Sequence, residues 1–125
     1  MVMNVTRPDL GLALTARGKP RVHVSVFKGV GDTLMCSWAC KNEGGAPGSA
    51  FMRLINTSSG WTLSPIVATS TLVSIPGGLM VNLLLTVFNL ELGVHVKNGF
   101  NTMRLDMYRE VGTLIQIHDF PLNIQ

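Results

Sequence analysis

An antiparallel β-sandwich is the fold this sequence predicts, and three observations carry that expectation. Roughly eight short runs alternate apolar and polar residues or are rich in β-branched ones. Clusters of Gly, Pro and Asn separate them, and no segment has the length and period of a long helix. The pattern leaves the pairing order open, with an up-and-down barrel as the alternative.

Residues 1–8 read as extended, since Pro8 disfavours helix at Arg7. Leu10, Leu12 and Leu14 alternate with Gly11 and Ala13 as a first short strand. Gly18-Lys19-Pro20 reads as a turn, and Val22, Val24 and Val26 alternate with His23 and Ser25 as a second strand ending near Phe27. The organising stretch is residues 32–53. Leu34, Cys36, Trp38 and Cys40 share one side of a central strand, a glycine-rich break follows at residues 42–48, and residues 49–55 resume as a strand. Such a pair, with Trp38 and Phe51 to cover, needs a second layer.

Residues 56–60 read as a turn and 61–64 as a short extended piece, with one β-branched strand over 67–75. Pro76-Gly77-Gly78 is a tight reversal. Residues 79–88 are almost continuously apolar, but their Val, Thr and Asn content favours a strand over a helix. Met80, Asn82, Leu84, Thr86 and Phe88 then lie on one side, with Leu79, Val81, Leu83, Leu85 and Val87 on the other. Two apolar faces imply a bulge or a second surface buried against a partner. Residues 93–97 read as a short strand, Asn98-Gly99 as a turn, and 102–109 with 113–119 as a late hairpin. The expected organisation is an N-terminal arm at 1–7, a sandwich domain at 8–120 and a C-terminal tail at 121–125.

Length and composition narrow the function classes. A chain of 125 residues is expected to form one domain. Charged residues make up 14% of it, below the usual quarter, so the surface is either partly covered by another subunit or built from Ser, Thr, Asn and Gly. The formal charge of +3 is modest. Arg7, Arg17, Lys19, Arg21 and Lys28 bias the first third, yet spread over that length they do not spell a compact groove, so nucleic-acid binding is not expected. Cys36 and Cys40 would lie about 13 Å apart along a straight strand, beyond disulfide reach, and read as two core thiols suited to a reducing compartment. The N-terminus lacks the basic-then-apolar pattern of a signal peptide, and the apolar passage at 79–92 is too interrupted and too short to span a bilayer.

Three short motifs resemble the CARDB group of immunoglobulin-like sandwich domains. Arg7-Pro8-Asp9-Leu10 resembles that family's opening strand, residues 40–46 (Cys-Lys-Asn-Glu-Gly-Gly-Ala) its strand followed by N-x-G and a small-residue turn, and residues 74–78 (Ser-Ile-Pro-Gly-Gly) a later turn. The resemblance covers about residues 8–120 and implies an immunoglobulin-like antiparallel β-sandwich of roughly seven to nine strands, acting as a binding or spacer module. In this setting Asn42 is expected to bond nearby backbone, and Gly44 or Gly45 to take positive φ. Standing alone, without an export signal and unusually apolar, the chain resembles instead the small sandwich proteins with which phages and archaeal viruses build or decorate capsids and tails.

No arrangement of catalytic groups emerges. His23, His95 and His118 lack a second ligand at metal spacing, the carboxylates form no D-x-D pattern, Ser58-Ser59-Gly60 is not a nucleophile elbow, and Gly77-Gly78 has no phosphate-loop lysine. No enzyme activity, metal or cofactor is expected. Trp38 is expected as the inter-sheet core aromatic, whereas Trp61 either anchors an interface or sugar at a rim or seals the sandwich end. Met1, Met3 and Val5 either add a strand to a neighbour's open edge or pack back on their own subunit. With Met80, Leu84 and Phe88 these are the interface candidates.

The expectation is a noncatalytic structural protein that self-assembles in a virion, as capsid decoration, capsid or tail component; the alternative is a carbohydrate- or protein-binding accessory module. Its expected partners are further copies and other virion structural proteins, without membrane insertion. Its expected place is the virion, assembled in the host cytoplasm, with a cytoplasmic or extracellular location as the alternative.

Overall fold

The computed structural model describes residues 13–25 and 32–124. Eight strands run β1 (Leu14–Ser25), β2 (Asp32–Asn42), β3 (Gly48–Asn56), β4 (Ile66–Thr69), β5 (Val73–Ile75), β6 (Met80–Leu90), β7 (Gly99–Arg109) and β8 (Leu114–Ile124). They form two antiparallel sheets. A small one is ordered β1-β2-β6, and a large one is ordered β4-β3-β7-β8, with β5 pairing β3 beside β4. This is the antiparallel β-sandwich the sequence predicts, its eight strands within the expected seven to nine. Met1, Met3 and Val5, with Leu10, Leu12 and Phe27, lie outside the described residues.

The core sits between the sheets because four long strands send alternate residues inward. Leu34, Cys36, Trp38 and Cys40 of β2 point inward with Leu83, Leu85 and Val87 of β6, facing Ala50, Met52 and Leu54 of β3 and Met103, Leu105 and Met107 of β7; all are buried. Burying a side chain of this size contributes about 1.5–3 kcal/mol, so a one-residue slip in any of these strands would turn several such side chains into solvent. The two expected sides of the 79–88 strand are observed as an outward and an inward set, except that Leu79 precedes β6 and is exposed. Phe51 does not need the second layer as expected, because it lies on the outward side of β3 and stacks on Tyr108.

Gly18-Lys19-Pro20 does not reverse the chain. It bulges a single continuous strand, and the pairing of β1 with β2 shifts between Arg17 opposite Ala39 and Arg21 opposite Ser37. Pro20 donates no hydrogen bond, which an edge strand at a bulge tolerates, and Gly18 supplies φ 66°. The bulge brings the Gly18 carbonyl to the Trp38 indole, whose Nε1–H donates to it at 3.0 Å. Trp38 is therefore buried with its one polar atom satisfied, as the inter-sheet aromatic should be.

Residues 67–75 form two strands rather than one. At the break, Ser70 meets Met52 of β3 twice: its N–H donates to the Met52 carbonyl and its Oγ accepts the Met52 N–H, both at 2.8 Å. Its hydroxyl replaces a backbone group of the ladder, and β5 resumes opposite Gly48, Ser49 and Ala50. Residues 93–97 form a turn rather than a strand, closed by a Leu92–Val96 bridge. Residues 121–124 do not form a tail, because they continue β8 opposite residues 99–102 of β7, burying Leu122 and Ile124.

Buried asparagines close both ends of the sandwich. Asn42 accepts the Gly44 N–H at Oδ1 and donates through Nδ2 to the carbonyls of Ala46 and Ile75, each at 2.9 Å. Its bond to nearby backbone is as expected, but neither Gly44 nor Gly45 has positive φ. Glycine is needed instead by close approach: a Cβ on Gly77 would lie 2.5 Å from the Gly45 carbonyl oxygen. At the other end Asn56 donates to His95 O and Asn101 Oδ1, while Asn101 Nδ2 donates to Lys97 O and Gly99 O.

Candidate interaction face

The outward face of the small sheet is built by the same alternation that fills the core. Each inward residue of β2 leaves an outward neighbour, and the register aligns these in rows across the sheet. Arg17, Ala39 and Asn82 form one row, Arg21, Ser37 and Leu84 the next, and His23, Met35 and Thr86 a third. The columns differ in chemistry. The β1 column is cationic, the middle of β2 carries the short side chains of Ser37 and Ala39, and β6 presents Met80, Leu84 and Phe88.

Short side chains between long ones make a trough. One hollow of about 350 Å³ is lined by Arg17, Lys19, Arg21, Ser37, Ala39 and Asn82. A second, of about 280 Å³ and mostly apolar, lies beside it between His23, Met35, Leu84 and Thr86, sharing Arg21 and Ser37. Of the β6 wall Leu84 is 66% exposed, and Met80 at 59% and Phe88 at 79% extend the same column beyond the hollows. β6 pairs only with β2, so its other side is an open sheet edge among the described residues.

Basic residues of the first third, dispersed in the sequence, are drawn together here. The bulge shortens the pairing between Arg17 and Arg21, so that Arg17, Lys19 and Arg21 line one hollow. Of these, Arg17 is ion-paired with Glu43. No salt bridge holds Lys19 or Arg21 among the described residues. Arg7 and Lys28 lie outside the described residues.

The other candidates lie elsewhere. Met80, Leu84 and Phe88 share one column, but Trp61 belongs to the β3–β4 connection, half-buried, its indole N–H donating to its own loop at Ser64 O, 3.2 Å away. His95 Nδ1 accepts the Glu91 N–H at 3.0 Å, and His118 packs between Trp38 and Phe120. Ser58 Oγ accepts the Thr102 N–H at 3.0 Å. Burial pushes the Cys36 thiol up to about 12 and the Cys40 thiol to about 11, so both are protonated and unreactive at neutral pH. Among the described residues no three His, Cys, Asp or Glu side chains are grouped to hold a metal ion, and no helix is long and apolar enough to cross a membrane.

Sequence reasoning missed a polar cluster on the outward face of the large sheet. Asp106 is fully buried there, receiving Arg104 Nε–H at 2.8 Å and Nη2–H at 3.1 Å on its two oxygens and the Tyr108 hydroxyl at 2.8 Å. Tyr108 stacks on Phe51 across the strand pair, ring centres 5.2 Å apart, and the Arg53 guanidinium lies over both rings. Burial first, and then the hydrogen bond to the Asp106 carboxylate, hold the Tyr108 phenol above its usual range. The one signal in the sequence was Arg104-x-Asp106-x-Tyr108, three polar side chains on one side of a strand.

No family model matches the chain, and no curated protein matches it in sequence. Solved structures do match in fold. An alkylpurine DNA glycosylase AlkC of Pseudomonas fluorescens, bound to DNA containing an abasic site analog, aligns at TM-score 0.56 and 11% identity over 89% of this chain and 30% of its own. A β-glucosidase 3B of Thermotoga neapolitana, in complex with α-D-glucose, aligns at TM-score 0.54 and 16% identity over 88% of this chain and 16% of its own. The structural genomics target SoR45 aligns at TM-score 0.51 and 12% identity over 92% of this chain and 89% of its own. The chain thus spans under a third of the two enzymes it matches, and at these identities the likeness is one of fold.

Proposed function

We propose that this chain is a noncatalytic structural protein that assembles with further copies of itself, with a virion as its setting, and that the outward face of the small sheet is a contact surface. The observation that carries the reading is the column of Met80, Leu84 and Phe88, each more than half exposed, beside the exposed Met35. Single exposed apolar residues are ordinary, but four on one sheet face, along an open edge strand, form a patch whose covering removes a large apolar area from water. At about 25 cal/mol per Å², 400 Å² of such area contributes roughly 10 kcal/mol before the cost of association. The low share of charged residues, 14%, agrees with a surface that is partly an interface.

The test is the mass in solution. Size-exclusion chromatography with light scattering is expected to show species heavier than the 13.5 kDa chain, with ordered particles or filaments by electron microscopy of the heaviest fraction. Leu84→Asp is expected to return the protein to a monomer. A wild-type protein that stays monomeric at high concentration overturns the reading.

A second reading, an accessory binding module, draws support from the alignment with small parts of longer chains. It expects a monomer whose Trp61 fluorescence changes with a glycan ligand, which separates it from the assembly reading in one experiment.

A further inference from the structure

The trough has two kinds of wall, and one occupant must answer both. Arg21 and Lys19 call for a carboxylate, whereas Met35 and Leu84 call for apolar side chains beside it. The chain itself offers such a segment. Among the described residues Glu43 is engaged by Arg17 and Asp106 by Arg104, and Asp119 lies directly across the ladder from Arg104. Glu110 precedes the exposed Val111, but Arg109 adjoins it and gives that turn a cation of its own.

Glu91 is different. It opens the turn after β6, where Leu92 is 57% and Val94 is 52% exposed, two apolar side chains beside one carboxylate, with the nearest cation in sequence, Lys97, just beyond the turn. The turn is also built to hold its shape. The Glu91 carbonyl accepts the N–H groups of Val94 and His95 at 3.3 and 3.0 Å, Gly93 N–H donates to Val96 O at 2.8 Å, and Gly93 takes φ 79°. His95 Nδ1 in turn accepts the Glu91 N–H at 3.0 Å. A segment ordered before it binds loses little conformational freedom on docking.

We propose that the turn of residues 91–96 of a second copy docks in the trough, with its Glu91 carboxylate against Arg21 and Lys19 and its Leu92 and Val94 on the Met35 and Leu84 side. The inference rests on the assembly reading above and names the part of the partner copy that makes the contact. Because the turn and the trough are different surfaces of one chain, the contact is head-to-tail or reciprocal about a two-fold axis. Charge at its edge sets register and encounter rate, while the apolar pairs supply most of the affinity.

The experiment is a charge-swap cycle by sedimentation equilibrium at low salt, with circular dichroism to establish that each variant is folded. Arg21→Glu and Glu91→Lys are each expected to weaken association about tenfold or more, and the double variant to recover most of the loss. Lys19→Glu repeats the trough arm, and Leu92→Ser tests the apolar half with the charges intact. If the wild type associates and Leu84→Asp dissociates it, but the charge variants are silent or the double variant is no better than the singles, the turn is not the occupant and assembly through the face stands. If the wild type does not associate, both readings fall together.

Discussion

The two outward faces of this sandwich are made by the same alternation and come out opposite. On the large sheet the central cluster is largely paired within the sheet: Asp106 takes Arg104 and Tyr108, Tyr108 takes Phe51, and Arg53 covers the rings, its buried Nε left without a hydrogen-bond partner, while Phe100 and Ile117 stand exposed at the cluster's margin. The result is a carboxylate with no solvent exposure on a face that looks outward. On the small sheet the cations stand on β1 and the apolar side chains on β6, with Ser37 and Ala39 of β2 between, so the two chemistries do not satisfy each other. A face becomes self-contained when complementary groups are direct cross-strand neighbours, and stays open when a column of short residues separates them.

Three measurements would break or sharpen that contrast. The largest effect at neutral pH is expected at Asp106. Asp106→Ala leaves the Arg104 guanidinium and the Tyr108 hydroxyl without their shared acceptor. Because the Arg104 side chain is 35% exposed and water recovers part of the loss, a destabilisation of about 2 kcal/mol is expected in urea unfolding rather than the full cost of a buried pair. Association should be unchanged. An Asp106→Ala protein as stable as wild type would show that the cluster is ornament rather than structure.

A pH-dependent effect, absent at neutral pH, is expected in alkali from the inner side of β2. The native Cys36 and Cys40 thiols ionise only near 12 and 11, against an ordinary value of 9.0. Between those limits the unfolded chain releases protons that the folded chain keeps, so the stability these thiols contribute is complete below pH 9 and declines as pH rises toward 11 to 12. The expected slope is about 1.4 kcal/mol per pH unit for each thiol. Tyr108 adds to the decline in the same direction, since its folded value is also raised. Urea titrations across this range on wild type and on Cys36→Ala with Cys40→Ala check it, and a slope the double variant leaves unaltered would remove the thiols as its source.

The smallest effect on folding is expected on the open face. Leu84→Ser and Phe88→Ser, measured where the protein is monomeric, should change unfolding free energy by no more than about 0.5 kcal/mol, since neither side chain lies in the core. A loss several times larger would mean that these residues are covered within their own subunit, and the assembly reading would lose its main support.

Much of this was legible from residue order. The strands β2, β3 and β6 each keep a period of two over nine or more residues, which separates two alternating sets in β2 and β6 and singles out the column of Met80, Leu84 and Phe88. In β3 the bulk of Phe51 misleads, because it faces outward onto Tyr108 while Ala50, Met52 and Leu54 fill the core. The two cysteines were legible as unpaired core thiols for the same reason. The failures share a cause. Gly18-Lys19-Pro20 has the composition of a turn and acts as a bulge, because the long β2 pairs on both sides of it and the Trp38 indole uses the Gly18 carbonyl. Residues 67–75 have the composition of one strand and form two, because Ser70 takes over the backbone groups of Met52. Residues 121–124 join β8 because β7 extends back to Gly99 and offers them a partner.

By itself, then, the order of residues determined that long strands alternate two sets of side chains, and hence that two sheets must close over a shared core, because hydrophobic alternation acts locally and needs no knowledge of neighbours. Only the tertiary structure decided which outward residues meet. Cross-strand register joins Arg53 to Asp106, brings Arg17, Lys19 and Arg21 around one hollow, and leaves Leu84 across Ser37 from Arg21, since the groups that touch come from positions far apart in the chain.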